Sequence, residues 1–106
     1  MNPILVVFCT CPDDTVAREL ASGLLEQRLA ACVNILPEIR SIYRWKGAVS
    51  EDGETLMVIK TSRSSWGRLE NWLNTNHPYD LPEIIALPVD KGLPAYLDWV
   101  IQESEP

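Results

Sequence analysis

Two prolines constrain the fold through the connector at residues 77–84, which reads His-Pro-Tyr-Asp-Leu-Pro-Glu-Ile. A proline fixes its own φ near about −65° and pushes the residue before it toward extended backbone. His77, which precedes Pro78, is therefore expected to end a helix, and the segment through Pro82 is expected to run as a stiff extended chain. The apolar residues 84–89 that follow predict a strand buried on both faces. The only histidine of the chain thus lies at a rigid junction between a helix and a strand.

The spacing of apolar residues changes period several times along the chain. Continuous or alternating apolar runs predict strands, and spacings of three and four predict helices. The predicted strands cover residues 4–8, residues 31–36 with a continuation at 39–45 beyond Pro37, a partner strand that is strongest at 56–59, and residues 84–89. The predicted helices lie within 16–29, 66–73 and 94–100. This order is βαββαβ plus a C-terminal helix, which predicts an α+β, ferredoxin-like sandwich with a long β-hairpin that turns at Lys46-Gly47.

Length, charge and cysteine content exclude several classes of protein. The chain has 106 residues, which fits a single domain over residues 1–106. Its net charge is −6 and it contains no basic run, so nucleic acid is a poor partner. No apolar stretch approaches the roughly 20 residues of a membrane helix. Three cysteines, an odd number, argue against a disulfide framework and favour a reducing cytoplasm.

Cys9 and Cys11 form a Cys-x-Cys pair at the end of the first predicted strand. If the strand continues through both residues, its period of two places both sulfurs on one face. Thiolates suit copper or zinc, and imidazole suits the same metals. The alternative is that Cys9 is a small buried core residue, which is the usual state of a free cysteine. Cys32 lies in an apolar strand and is expected in the core.

His77 and Glu83 have two interpretations each. His77 can act as a metal ligand, or it can stabilise the end of a helix through the free carbonyls and the negative helix terminus. Glu83 can orient the imidazole or supply an oxygen ligand, and its alternative is a solvated carboxylate at the start of a strand. From the residues alone, both interpretations of each side chain stay open.

The hairpin carries aromatic residues on a ribbon that extends beyond a single sheet. Ile39, Tyr43 and Trp45 share one face of it. A two-stranded ribbon is marginally stable alone, and such an apolar face is not left in water. A neighbouring subunit is expected to cover this face.

Five segments together resemble the CutA family of divalent-cation tolerance proteins. They are residues 29–35 (LAACVNI), 41–47 (SIYRWKG), 59–61 (IKT), the 77–84 connector and 96–99 (YLDW). The resemblance implies a ferredoxin-like subunit, a homotrimer similar to the PII signalling proteins, and a link to copper and other divalent metals. It matches Cys9 and His77 to the family's copper-binding cysteine and histidine, whereas Cys11 lies outside the family motif. The candidate metal ligands are then Cys9 and His77, with Glu83 as the weaker candidate. Asn76 stands where such members can carry a second histidine.

Two functions follow from the residues and the resemblance. The first is a non-enzymatic, cytoplasmic homotrimer that binds copper, or zinc or another divalent ion, in metal-ion homeostasis. The alternative is a PII-like signalling or scaffolding trimer that binds a small molecule in clefts between its subunits. An acylphosphatase-type hydrolase needs an arginine and amide donors after the first strand, where residues 9–14 are instead acidic. A nucleotide-binding sheet of this topology needs aromatic residues where 56–59 has none.

Overall fold

The computed structural model describes residues 3–106. Within this range the elements are β1 (Ile4–Cys11), α1 (Asp14–Glu26), β2 (Cys32–Trp45), β3 (Ala48–Ser62), a 3₁₀ turn (Arg63–Ser65), α2 (Trp66–Asn76), β4 (Ile85–Pro88) and α3 (Pro94–Glu103). The strands form one antiparallel sheet in the order β2-β3-β1-β4. The predicted ferredoxin-like α+β fold is therefore confirmed.

The β2–β3 hairpin is a long ribbon with a tight turn at its tip. Lys46 and Gly47 both have positive φ, 49° and 81°, as the two-residue hairpin turns that match strand twist require. A register shift between Leu36 and Ile39 interrupts the ladder where Pro37 was expected to bend it. The subunit measures 44 × 26 × 22 Å and has a radius of gyration of 14.2 Å, above the roughly 13 Å of a compact chain of this length. The elongation agrees with a ribbon that projects past the sheet.

The main core lies between one face of the sheet and the helices α1 and α2. Alternate residues of β1 and β3 point to this face, as the period of a strand requires. The buried residues of this core are Val7, Cys9, Cys11, Ala17, Leu20, Leu24, Leu29, Ala30, Met57, Ile59, Leu69 and Leu73. Helix α3 packs at one end of the sheet, where Val100 is buried with Ile4 and Ala31.

The opposite face of the sheet is apolar and only partly covered by the subunit. Register pairs Phe8 with Ile85 and with Val58, and pairs Val6 with Leu87, so these side chains share that face. Ile85 is 52% exposed and Leu87 is 45% exposed.

The prediction that strand 84–89 is buried on both faces is therefore wrong for the single subunit. The strand is Ile85–Pro88 and lies at the edge of the sheet. Because the sequence of this strand is apolar, both of its faces need to be shielded from water. Within residues 3–106, only one of the two faces is shielded.

Candidate functional site

Three side chains of the types that bind metals lie close together between the sheet and the helices that cover it. One donor atom from each of Cys9, Cys11 and His77 lies within 4.8 Å of the other two, and all three residues are buried. Strand β1 extends beyond the predicted residues 4–8 to Cys11, which meets the condition stated for the pair, so its period of two places both sulfurs on one face, the helix-covered one. The third residue arrives from the opposite layer, at the end of α2.

The end of α2 fixes the imidazole in place. The helix ends at Asn76, and His77 follows with extended backbone, φ −75° and ψ 140°. This is the geometry that Pro78 imposes on the residue before it. The His77 amide still donates to the Leu73 carbonyl at 2.9 Å, so the histidine caps the helix while its side chain turns toward β1.

Both ring nitrogens of His77 already have backbone partners. Nε2 lies 2.8 Å from the Thr10 carbonyl oxygen, and the Tyr79 amide lies 3.1 Å from Nδ1. A carbonyl can only accept and an amide N–H can only donate, so this pattern corresponds to the neutral imidazole with its proton on Nε2. The imidazole therefore ties α2 and the connector to β1, which is a structural role that a metal would have to displace.

The two thiols influence each other's ionisation. The hydrogen bond with Cys11, followed by burial, raises the pKa of the Cys9 thiol. The same hydrogen bond lowers the pKa of Cys11, against the opposing effect of burial. The pKa of Cys11 is thus the lower of the two. In the structure the Cys9 S–H makes a long contact to the Thr10 carbonyl, with Sγ 3.9 Å from that oxygen. Both thiols have to lose a proton before both sulfurs can bind a metal.

This donor set fits a soft or borderline metal ion. Two sulfurs and one imidazole nitrogen are the ligands that copper and zinc prefer, whereas magnesium and calcium prefer oxygen. The fit has a condition, because the imidazole must first give up a backbone hydrogen bond.

The other sequence candidates lie outside this group. Glu83 is exposed and is not one of the three clustered residues, although its charge is among those that raise the pKa of Cys9. Its assignment as a ligand stays a prediction. Cys32 is partly buried rather than in the core. Asn76 donates its side-chain amide to the Trp72 carbonyl at 2.8 Å, so it is bonded to its own helix.

A groove of about 860 Å³ opens beside the cluster. The ribbon, the end of β1 and the proline connector form its walls. Its lining residues are Thr10, Arg40, Ser41, Ile42, Tyr43, Trp45, Asp52, Glu54, Pro78, Tyr79, Asp80, Leu81 and Glu83. The lining combines three aromatic rings with four carboxylates and one arginine, so the groove is acidic.

Two tyrosine–carboxylate pairs organise the groove. The Tyr79 hydroxyl donates to Glu54 Oε2 at 2.7 Å, and the Tyr43 hydroxyl donates to Asp52. Burial, and then the Glu54 carboxylate, raise the pKa of Tyr79. Sequence reasoning did not predict this groove, because its walls come from distant parts of the chain: Tyr79 and Glu54, 25 residues apart, meet only after β3 and the connector are packed together.

Comparisons with known proteins place these observations in a family context. Residues 5–103 match the family model described as CutA1 divalent ion tolerance protein. The chain is 50% identical over 99 residues to the divalent-cation tolerance protein CutA of Thermus thermophilus, covering 93% of this chain and 96% of that protein. It is also 50% identical over 102 residues to the mouse protein CutA, covering 96% of this chain but 58% of the relative's length. The chain therefore spans somewhat more than half of the mouse protein.

A solved structure with the same fold comes from the same bacterium. The divalent cation tolerance protein (Cut A1) of Thermus thermophilus superposes with a TM-score of 0.94 at 46% sequence identity, covering 96% of this chain and 99% of that one. Within residues 3–106, no helix is long and apolar enough to cross a membrane.

Proposed function

This chain belongs to the CutA1 divalent ion tolerance protein family, and from that membership we propose that it is a non-enzymatic homotrimer that binds copper in metal-ion homeostasis. The observation that carries the metal part is the buried group of Cys9, Cys11 and His77, with its donor atoms within 4.8 Å of one another. Cys11 joins Cys9 and His77, which are two of the three ligands that the sequence indicated, while Glu83, the third, lies outside the group. Zinc is the second choice for this donor set.

A titration with matched variants tests the metal assignment. Cu(I) and Zn(II) are added anaerobically to the wild type and to Cys9→Ser, Cys11→Ser and His77→Ala, and binding is followed by native mass spectrometry and calorimetry. Cys32→Ser is the control, because this third cysteine lies outside the cluster. We expect each cluster variant to bind more weakly and the control to bind like the wild type. Unchanged binding in all three cluster variants would contradict the site.

The exposed sheet face supports a trimer. Phe8, Val58, Ile85 and Leu87 form an apolar surface that the subunit leaves partly open, and Tyr43 and Trp45 on the ribbon are 40% and 45% exposed. Other copies of the chain are the simplest cover for both surfaces. Each subunit would extend its ribbon against the next, which gives a heterologous contact that closes as a ring. Sedimentation at micromolar protomer concentration tests this, and a monodisperse monomer would refute it.

The absence of catalysis is part of the proposal. The single histidine has both ring nitrogens engaged by Thr10 and Tyr79, so it is not free to act as a general base. The three cysteines are free thiols, which supports a reducing location such as the cytoplasm.

The groove supports a second candidate function, a signalling or scaffolding trimer that binds a small molecule. Its volume of about 860 Å³ suits such a ligand. The lining includes Asp52, Glu54, Asp80 and Glu83 against Arg40 alone, which disfavours anionic ligands. A calorimetric screen of nucleotides and cationic metabolites separates the two functions: saturable micromolar binding that is unaffected by Cys9→Ser and His77→Ala would favour the groove.

A further inference from the structure

Two residues that line the open groove also contact a member of the buried cluster. Thr10 and Tyr79 both line the groove, and both hold the His77 imidazole through their backbone atoms. The ring of Tyr79 also lies against the imidazole, with centroids 4.8 Å apart and a tilt of 48°. Any change in the bonding of His77 therefore acts on the groove.

The bonding of the imidazole restricts how a metal can reach it. A metal needs a ring lone pair, and the one on Nδ1 is used by the Tyr79 amide. Coordination through Nδ1 displaces that amide directly. Coordination through Nε2 displaces the Thr10 carbonyl and requires the Nε2 proton to leave. A neutral ring then carries its proton on Nδ1, where it faces the Tyr79 N–H, and two donors cannot bond each other. Both routes release the Tyr79 amide, and the thiol protons leave to solvent.

Release of this amide affects the groove through the side chain of the same residue. The Tyr79 hydroxyl is bonded to Glu54 on β3 at 2.7 Å. Pro78 and Pro82 make the connector stiff, so a change at the Tyr79 backbone is transmitted to its ring and to Leu81 rather than absorbed locally. We propose that metal coordination by His77 and the shape of the groove are coupled through Tyr79. This inference rests on the proposed metal site and adds its regulation.

The coupling has to act in both directions. Consider a molecule or a neighbouring subunit that holds Tyr79 in its present position. Its binding lowers the affinity of the protein for the metal by some factor, and metal binding lowers the affinity for that molecule or subunit by the same factor. Removing the Tyr79–Glu54 bond loosens the restraint without touching a ligand atom. Tyr79→Phe is therefore expected to tighten metal binding by roughly two- to twelvefold, the equilibrium equivalent of one hydrogen bond.

Amide NMR on the full chain tests the coupling directly. The ¹⁵N-labelled protein is titrated anaerobically with Zn(II) and with Cu(I), and the Tyr79 amide is followed by chemical shift and hydrogen exchange. We expect its exchange to accelerate by roughly two- to twelvefold on metal binding, together with shifts at Glu54 and Leu81. His77→Gln is the matched control, because its side-chain amide can donate to Thr10 while it lacks the imidazole ligand. Metal held by the two cysteines alone should leave the Tyr79 amide unchanged in this variant.

The outcomes separate this inference from the proposed function. Metal binding with an unchanged Tyr79 amide in the wild type overturns the coupling and leaves the metal site intact. The same change in His77→Gln as in the wild type also overturns it, since His77 would then not transmit the effect. No metal binding by the wild type at micromolar concentration overturns both. A Tyr79→Phe variant with wild-type metal affinity contradicts the reciprocal part of the coupling.

Discussion

Replacing His77 by alanine should destabilise the protein in the complete absence of metal. The imidazole is 7% exposed and bridges the Thr10 carbonyl and the Tyr79 amide. Each of these hydrogen bonds is worth about 0.5–1.5 kcal/mol net, so the pair contributes ~1–3 kcal/mol. The cavity left by the ring adds on the order of 1 kcal/mol. We expect a total loss of ~2–4 kcal/mol in the free energy of unfolding, which lowers Tm by roughly 8–16 °C at the ~4 °C per kcal/mol typical of this chain length.

The measurement is urea and thermal unfolding with chelator and reductant present, at one fixed protomer concentration because assembly contributes to stability. Asn76→Ala is the matched control. It changes the neighbouring residue, which is exposed and bonded only within its helix, and should stay within about 0.5 kcal/mol of the wild type. His77→Gln should recover part of the loss through a donor to Thr10. If His77→Ala unfolds like Asn76→Ala, the structural role argued for the imidazole is wrong.

Three further predictions address packing, pH and assembly. Gly23→Ala should destabilise the protein by ~1–2 kcal/mol in spite of the better helix propensity of alanine, because the new Cβ would lie 2.3 Å from the Trp72 ring. Combining Gly23→Ala with Trp72→Ala should remove the clash. If the two stability losses simply add in that double-mutant cycle, the explanation is refuted. Burial and Glu54 raise the pKa of Tyr79 above its unfolded value, so this group stabilises the fold below about pH 10 and loses that contribution as pH rises toward the folded pKa. The free energy of unfolding should therefore fall less steeply with pH above about pH 10 in Tyr79→Phe than in the wild type. An identical slope in the two proteins would contradict this role of Tyr79. Leu87→Arg on the open sheet face should dissociate the assembly in sedimentation, while Glu19→Arg on exposed α1 should not, and an intact Leu87→Arg oligomer would exclude that face as the interface.

Local geometry made the place of each cluster residue on its own strand or helix predictable from the sequence. Strand residues two apart share a face, so Cys9 and Cys11 had to meet if β1 continued to residue 11. Pro78 had to end α2 at His77. Both expectations depend only on near neighbours in the chain, and the structure confirms both.

Long-range contacts account for what the sequence did not predict. The imidazole bonds to Thr10 across 67 residues of chain, and this contact depends on how α2 lies over β1 rather than on any local pattern. The groove has the same origin. The burial of β4 was overpredicted for a related reason: an apolar sequence at Ile85 and Leu87 indicates that a surface must be covered, but it does not indicate by which chain.

The two interpretations of His77, helix-end anchor and metal ligand, are linked by one free-energy balance. A metal that recruits the imidazole must first break at least one of its two backbone hydrogen bonds. One bond costs about 0.5–1.5 kcal/mol and the pair ~1–3 kcal/mol, so the apparent affinity falls by roughly 2- to 150-fold relative to the same three ligands held free. The restraint on the thiols is weaker, because Cys9 makes only a long contact, with its Sγ 3.9 Å from the Thr10 carbonyl oxygen, and an S–H group is a weak donor. We therefore expect the thiols to supply most of the binding energy and His77 to supply the coupling. The ratio of the metal affinities of Cys11→Ser and His77→Ala measures this division: a larger loss in His77→Ala would reverse the assignment of the two roles.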